Sequence, residues 1–146
     1  MPGTGKEMKP VVQEEETGCG IASFAAIAGI SYNEAKNIAN AMGISAEDQA
    51  LWSDTQYVRR LLAELGFRAD KEEIPFRNWK SLPDCALIAL KWHGRNGKPF
   101  WHWAVFRREE NKQYVLDSKK SLKSHVRTDF GRMKPKWHIK VYGLDK

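Results

Sequence analysis

Cys19 stands between two glycines at the head of an almost uninterrupted apolar run, CGIASFAAIAG. A thiol attacks as its thiolate, and the unpaired amides and positive dipole end of a helix start favour that form. The spacing predicts a helix opening at Cys19, with Gly18 and Gly20 letting a substrate approach the backbone. Cysteine at the head of an apolar helix also occurs as simple core filler, so Cys19 needs partners before it means chemistry.

Three other residues supply candidate partners. Gln13 lies six positions earlier, and a side-chain amide beside a nucleophile can donate to the oxyanion of acyl transfer. Read alone it is a solvated residue of the polar run QEEET. His102 interrupts the apolar strand FWHWAVF and can serve as a base, holding a thiol as an ion pair and later protonating a leaving amine. Its alternative is a core histidine bonded to a backbone carbonyl. Asp117 ends the strand QYVLD, where an ordinary turn residue would also fit.

The segment RREEN between these strands suits a hairpin. A two-residue turn centred on Glu109 and Glu110 places Asp117 directly opposite His102; moving the centre by one residue makes the pair diagonal on the same face. An odd-length loop would break that parity. Taken together, Gln13, Cys19, His102 and Asp117 provide an oxyanion donor, a nucleophile, a base and its orienter.

The elements that must position them follow from pattern. Thr17 is expected to cap the apolar helix and Gly29 to end it. Ser31 with Glu34 forms a capping-box pair before SYNEAKNIANAMG, whose Ala35, Ile38, Ala39 and Met42 share a face that stops at Gly43. A third helix is predicted from about Ser53 to Leu65, with Gly66 as its terminator. From Phe67 the pattern becomes that of strands: FRADKEEI, CALIALKW, FWHWAVFRR, KQYVLDS and WHIKVYG. Helices first and strands afterwards predict an α+β domain, an antiparallel sheet packed on an N-terminal helical layer.

On the motifs QEEETGCGIASFAAIAG, HWAVF and VLDS, the chain resembles the papain-like cysteine peptidases, and specifically the small bacterial branch that removes double-glycine leader peptides from bacteriocins. The likeness runs from Gln13 to about Ser118. It implies a papain-like fold and a thiol hydrolase that cleaves a peptide or amide bond through a Cys19 thioester. His102 would move the proton, Asp117 would orient His102, and Gln13 would complete the oxyanion hole, without metal or organic cofactor. The sequence departs from that branch at Gly18, where an acid is usual, and at Ser118, where proline is usual. Related bacterial folds deamidate protein glutamines with the same constellation, and a catalytically silent peptide-binding module is a further alternative.

Composition bounds the rest. A chain of 146 residues, 42% hydrophobic and with six Phe, six Trp and four Tyr, is long enough for one packed domain over residues 1–146 and excludes a solvated disordered chain. The first ten residues are expected to stand outside the fold, as a disordered arm or as residues added to the native chain, since Met8 could equally serve as the start. No apolar run reaches the roughly 18 to 20 residues of a membrane span, and no signal peptide is evident, so a cytoplasmic protein is expected. Export as an effector by a route that needs no signal stays open. Cys19 and Cys85 are too few for a disulfide framework. Cys85, in DCALIAL, is expected to pack as a small apolar residue. His93 is expected in a surface connection, and His125 and His138 in a basic region without zinc-ligand spacing. Of Trp92, Trp101 and Trp103, at least two are expected in the core rather than in a substrate wall. The net charge of +6 is concentrated in the C-terminal third, opposite Glu14, Glu15 and Glu16, a polarity suited to an acidic peptide or protein substrate. Nucleic-acid binding lacks any accompanying recognition motif.

Overall fold

The computed structural model describes residues 7–144. Of the N-terminal arm, residues 1–6 lie outside the described residues. The next residues touch the sheet: Met8 N–H donates to Tyr114 Oη at 3.1 Å, and Lys112 Nζ pairs with Glu7 Oε1 at 2.9 Å.

Three helices come first: α1 (Cys19–Ala28), α2 (Tyr32–Ala41) and α3 (Gln56–Glu64). Helix α1 is buried on nearly every side, as its apolar sequence requires. It ends at Gly29, whose φ of 73° is the left-handed conformation that glycine tolerates best. Its start differs from expectation. The position preceding the helix is Gly18, with no side-chain cap, and the Thr17 hydroxyl turns away to donate to Ala46 O. Helix α2 begins with the predicted reciprocal bonds between Ser31 and Glu34, and it buries Ala35 and Ala39 completely. Helix α3 is shorter than predicted. A separate 3-10 turn, Gln49–Ser53, occupies the approach to it, and Leu65 falls past its end, largely exposed.

The strands are β1 (Arg68–Ala69), β2 (Ile74–Pro75), β3 (Cys85–Arg95), β4 (Lys98–Glu109), β5 (Lys112–Leu116), β6 (Val126–Arg127) and β7 (Trp137–Tyr142). They form a seven-stranded sheet in the order β1-β7-β3-β4-β5-β6, with β2 also on β7, and every pairing is antiparallel. An α+β architecture is thus what the chain adopts. Strand β3 runs through His93 to Arg95, beyond the connection expected there, because Asn96 and Gly97 take φ of 53° and 79° and close a tight hairpin.

Alternation along β4 sorts two cores. Trp101, Trp103 and Val105 face the helices and join Ile21, Phe24, Leu61 and Leu62. Ala104 and Phe106 face the other way, onto Leu82, Ile88 and Met133. Cys85 is buried among apolar residues in β3, and burial pushes its thiol up to about 12. Among the described residues no helix is long and apolar enough to cross a membrane.

Candidate active site

The β4–β5 hairpin brings the charged pair together. Its turn falls on Glu110 and Asn111, since Glu109 pairs with Lys112 and Val105 with Leu116. That centre is one residue beyond the simplest choice, so continuing the register sets Asp117 beside Ala104, diagonal to His102 on the same face. The diagonal is short enough: His102 Nε2 lies 2.6 Å from Asp117 Oδ1.

Asp117 is held from every side. Its Oδ1 also accepts from Lys119 N–H at 3.1 Å, and its Oδ2 from Arg127 Nη1 at 3.0 Å. Its backbone N–H donates to His125 O, while the His125 ring Nδ1 lies 3.0 Å from Asp117 O. Arg127 is in turn gripped by Asp129 through Nε at 3.0 Å and Nη2 at 2.7 Å. Burial alone would raise the Asp117 carboxyl. The bond and charge of His102, with the Lys119 amide and Arg127, outweigh it and hold the group at about 2. Burial likewise opposes a charge on His102, yet the Asp117 carboxylate and the nearby Cys19 thiol lift it from 6.5 to about 9. The imidazole is therefore a cation at neutral pH.

Cys19 sits at the first position of α1, where no side chain claims the opening amides. Strand β5 ends at Leu116, opposite Val105, so Trp103 lies past the last β4–β5 pair. Its backbone N–H instead donates to Cys19 Sγ at 3.4 Å. The helix start thus occupies the edge of β4 that β5 leaves open, next to the residue carrying the imidazole. Cys19 is only 1% exposed.

The flanking glycines have a different reason from substrate approach. A Cβ on Gly20 would stand 1.9 Å from Tyr57 Oη and 2.6 Å from Tyr57 Cζ, and one on Gly18 would stand 2.1 Å from Tyr32 Oη. Two buried tyrosines pack directly on the backbone around the thiol.

Gln13 is brought to the same place, and its amide is already engaged. Nε2 donates to Glu15 O at 2.9 Å and Glu16 O at 3.0 Å, and Oε1 accepts from Ser118 Oγ at 2.7 Å. A cavity of about 760 Å³ opens here, with Gln13, Trp52, Phe100, Trp101 and His102 in its wall. Of the three tryptophans considered from sequence, Trp103 is fully buried in the core and Trp101 lines the cavity while remaining largely buried. Trp92 is exposed, with Lys136 over its ring. Among the described residues, no group of three or more His, Cys, Asp or Glu side chains converges as a metal site would require.

Sequence reasoning missed Arg127, His125 and Trp52. The first two arrive on or beside β6, a two-residue strand whose existence depends on pairing with β5 and leaves no periodicity to read. Trp52, on the 3-10 turn, reaches across with Nε1 donating to Glu16 O at 3.3 Å, a contact between segments 36 residues apart.

No protein-family model matches the sequence, and no curated protein matches it. Among solved structures, the fold matches that of a double glycine motif protease from an AMS/PCAT transporter, solved in complex with the leader peptide. The match has a TM-score of 0.57 at 15% identity and covers 92% of this chain and 91% of that one. The chain therefore has a papain-like cysteine protease fold.

Proposed function

We propose that this protein is a thiol-dependent hydrolase that cleaves peptide bonds through Cys19. The observation that carries the reading is the part-buried His102–Asp117 pair at 2.6 Å, which favours a charged imidazole near a thiol at a helix start. The likeness to a peptidase solved with a peptide bound supports the substrate class at the level of fold.

In the proposed reaction the Cys19 sulfur, its proton held by His102, attacks the scissile carbonyl carbon and forms a C–S bond. The carbonyl electron pair moves onto oxygen, where the Cys19 backbone N–H at the unclaimed helix start can receive it. Gln13 is the second donor, which requires one of its bonds to Glu15 O or Glu16 O to be exchanged for the oxyanion. His102 gives its proton to the leaving amine as the C–N bond breaks. It then takes a proton from water, whose oxygen attacks the thioester, and the acid leaves as the thiol is restored. Asp117 keeps the ring oriented and charged throughout.

The test is mass spectrometry of a mixed peptide pool incubated with wild type, Cys19→Ala and His102→Ala. Wild type is expected to divide peptides into complementary fragments, and both variants to lose essentially all of this. Intact products heavier by about one dalton would replace the reading with glutamine deamidation. Peptide binding without any turnover would make the protein a silent module on the same fold.

A further inference from the structure

The cavity beside His102 carries a feature that the proposed reaction does not use. Lys91, Arg95, Lys119 and Lys120 all line it. Lys91 sits where the β3–β4 register shifts between Leu90 and His93, and its φ of 52° puts a lysine in the left-handed region. Such a conformation costs about 1 kcal/mol or more in a non-glycine residue and collects at ligand clamps. A bulge of this kind re-aims a side chain. Leu90 pairs with His102, so Lys91 follows directly on the position opposite the imidazole. On the other side, Lys119 is fixed through its backbone N–H on Asp117 Oδ1. The two lysines thus extend from the two segments that flank the His102–Asp117 pair.

Their charges are left facing each other. The Lys119 ammonium, ahead of burial, pushes Lys91 below its ordinary range. Among the described residues no carboxylate forms a salt bridge with Lys91, Arg95, Lys119 or Lys120. Asp117, whose charge reaches Lys91, already has both oxygens engaged. Two cations placed together without a counter-charge favour any ligand that brings one.

We propose that Lys91 and Lys119 form a subsite for a carboxylate of the peptide substrate, selecting chain segments with Asp or Glu close to the scissile bond. Cleavage at such segments rests on the hydrolase reading; binding of the carboxylate does not. The carboxylates in the same cavity favour a peptide over a nucleic acid. Glu14 and Glu16 line it, as does Glu15, which is paired with Lys36 Nζ at 2.5 Å. Repeating phosphates would run against these carboxylates, whereas a peptide with one acidic residue can lay it on the lysines alone. In the wall of the same cavity, Phe100 stacks on His93 at 5.8 Å and meets Trp52 edge-on at 6.4 Å, an apolar panel for a peptide's other side chains.

The experiment uses the full-length Cys19→Ala protein, so binding is read without turnover. Fluorescein-labelled Ala/Gly octapeptides with amidated C-termini carry a single Asp moved one position at a time, against an Asn series. At one register the Asp peptide is expected to bind about fivefold to tenfold more tightly than its Asn isostere. The preference should shrink as salt rises from about 0.05 to 0.5 M. It should fall toward unity in Lys91→Gln and in Lys119→Gln, the latter at an ordinary backbone position. A free-acid peptide without Asp that shows the same lysine-dependent gain would identify a C-terminal carboxylate as the source. A flat scan, a preference that survives both lysine substitutions, or tighter binding of a labelled oligonucleotide than of any peptide would overturn the subsite. Selective binding with no cleavage by wild type would remove the hydrolase reading and leave the subsite. Cleavage of Asp and Asn peptides with equal kcat/KM would do the reverse.

Discussion

Replacing Asp117 by Asn keeps the shape of the carboxylate, removes its charge and turns one of its two accepting oxygens into a donor. Asp117 is 2% exposed, and its partner imidazole is raised from 6.5 to about 9. At about 1.4 kcal/mol per tenfold change in proton affinity, that rise corresponds to roughly 3 kcal/mol in favour of the imidazolium. The lowering of Asp117 to about 2 describes the same pair from the other side, so the two figures are not added. The raised group contributes its stability in full below pH 6.5 and loses it as pH rises through about 9. The lowered group contributes above its ordinary 3.8 and loses it as pH falls through about 2. Wild type should therefore exceed Asp117→Asn in stability most between pH 3.8 and 6.5, and the gap should narrow toward both extremes. The proton affinity itself is best read by 15N NMR of the ring nitrogens in a Cys19→Ala background, which removes the thiol's share. With Asp117 present the midpoint should fall between 6.5 and 9; in the Asp117→Asn variant the ring should bind its proton at least about tenfold more weakly, because burial then acts with little opposition. A midpoint at or below 6.5 with Asp117 in place, or one indifferent to the substitution, would refute the ion-pair account.

Gln13→Ala should lower kcat by about tenfold to a thousandfold if the amide meets the oxyanion. By stranding the buried Ser118 hydroxyl it should also cost about 1–3 kcal/mol in chemical denaturation, and an unchanged kcat would confine Gln13 to the scaffold. Gly20→Ala, which drives a methyl into the Tyr57 ring, should destabilise the protein by about 1–3 kcal/mol, and combining it with Tyr57→Phe should recover part of that loss if the hydroxyl is the obstacle. A variant as stable as wild type would show that Tyr57 moves aside freely.

What was legible in the sequence is what local rules decide. The Ser31–Glu34 box, the stop at Gly29 and the faces of β4 follow from spacing and period alone. The shared face of His102 and Asp117 was legible for an even hairpin, whose parity survives a one-residue shift of its centre, while the choice of the diagonal over the direct pairing was left to the turn. The failures share a different cause. Thr17 had the right type and place for a cap, but Ala46 O, 29 residues away, took its hydroxyl. The glycines around Cys19 were read as room for a ligand, while the tyrosines that require them come from α2 and α3. Arg127 and His125 depend on a strand that exists only through β5. Each missed contact joins segments whose approach is set by tertiary packing, for which no local pattern stands proxy.

The six-residue interval between Gln13 and Cys19 shows how the two kinds of information meet. Sequence suggested it as a reach from an amide to an oxyanion. In the folded chain the interval is a turn wound around that amide: Gln13 Nε2 binds Glu15 O and Glu16 O, and Glu15 O also accepts the Gly18 N–H at 3.0 Å, one residue before the thiol. The other end of the same side chain is held by Ser118 Oγ, and the Gln13 backbone N–H donates to Ser118 O at 3.0 Å. Ser118 follows Asp117 in the chain. One glutamine therefore ties the segment that leads into Cys19 to the segment that follows Asp117, across 105 residues of sequence. Serine at position 118 supplies the side-chain half of this tie, since proline there would keep the carbonyl but have no hydroxyl to donate. The serine at 118 thus holds the oxygen of the Gln13 amide while Glu15 O and Glu16 O hold its nitrogen: the amide serves first as a brace, and any service to an oxyanion must draw on the same two N–H groups.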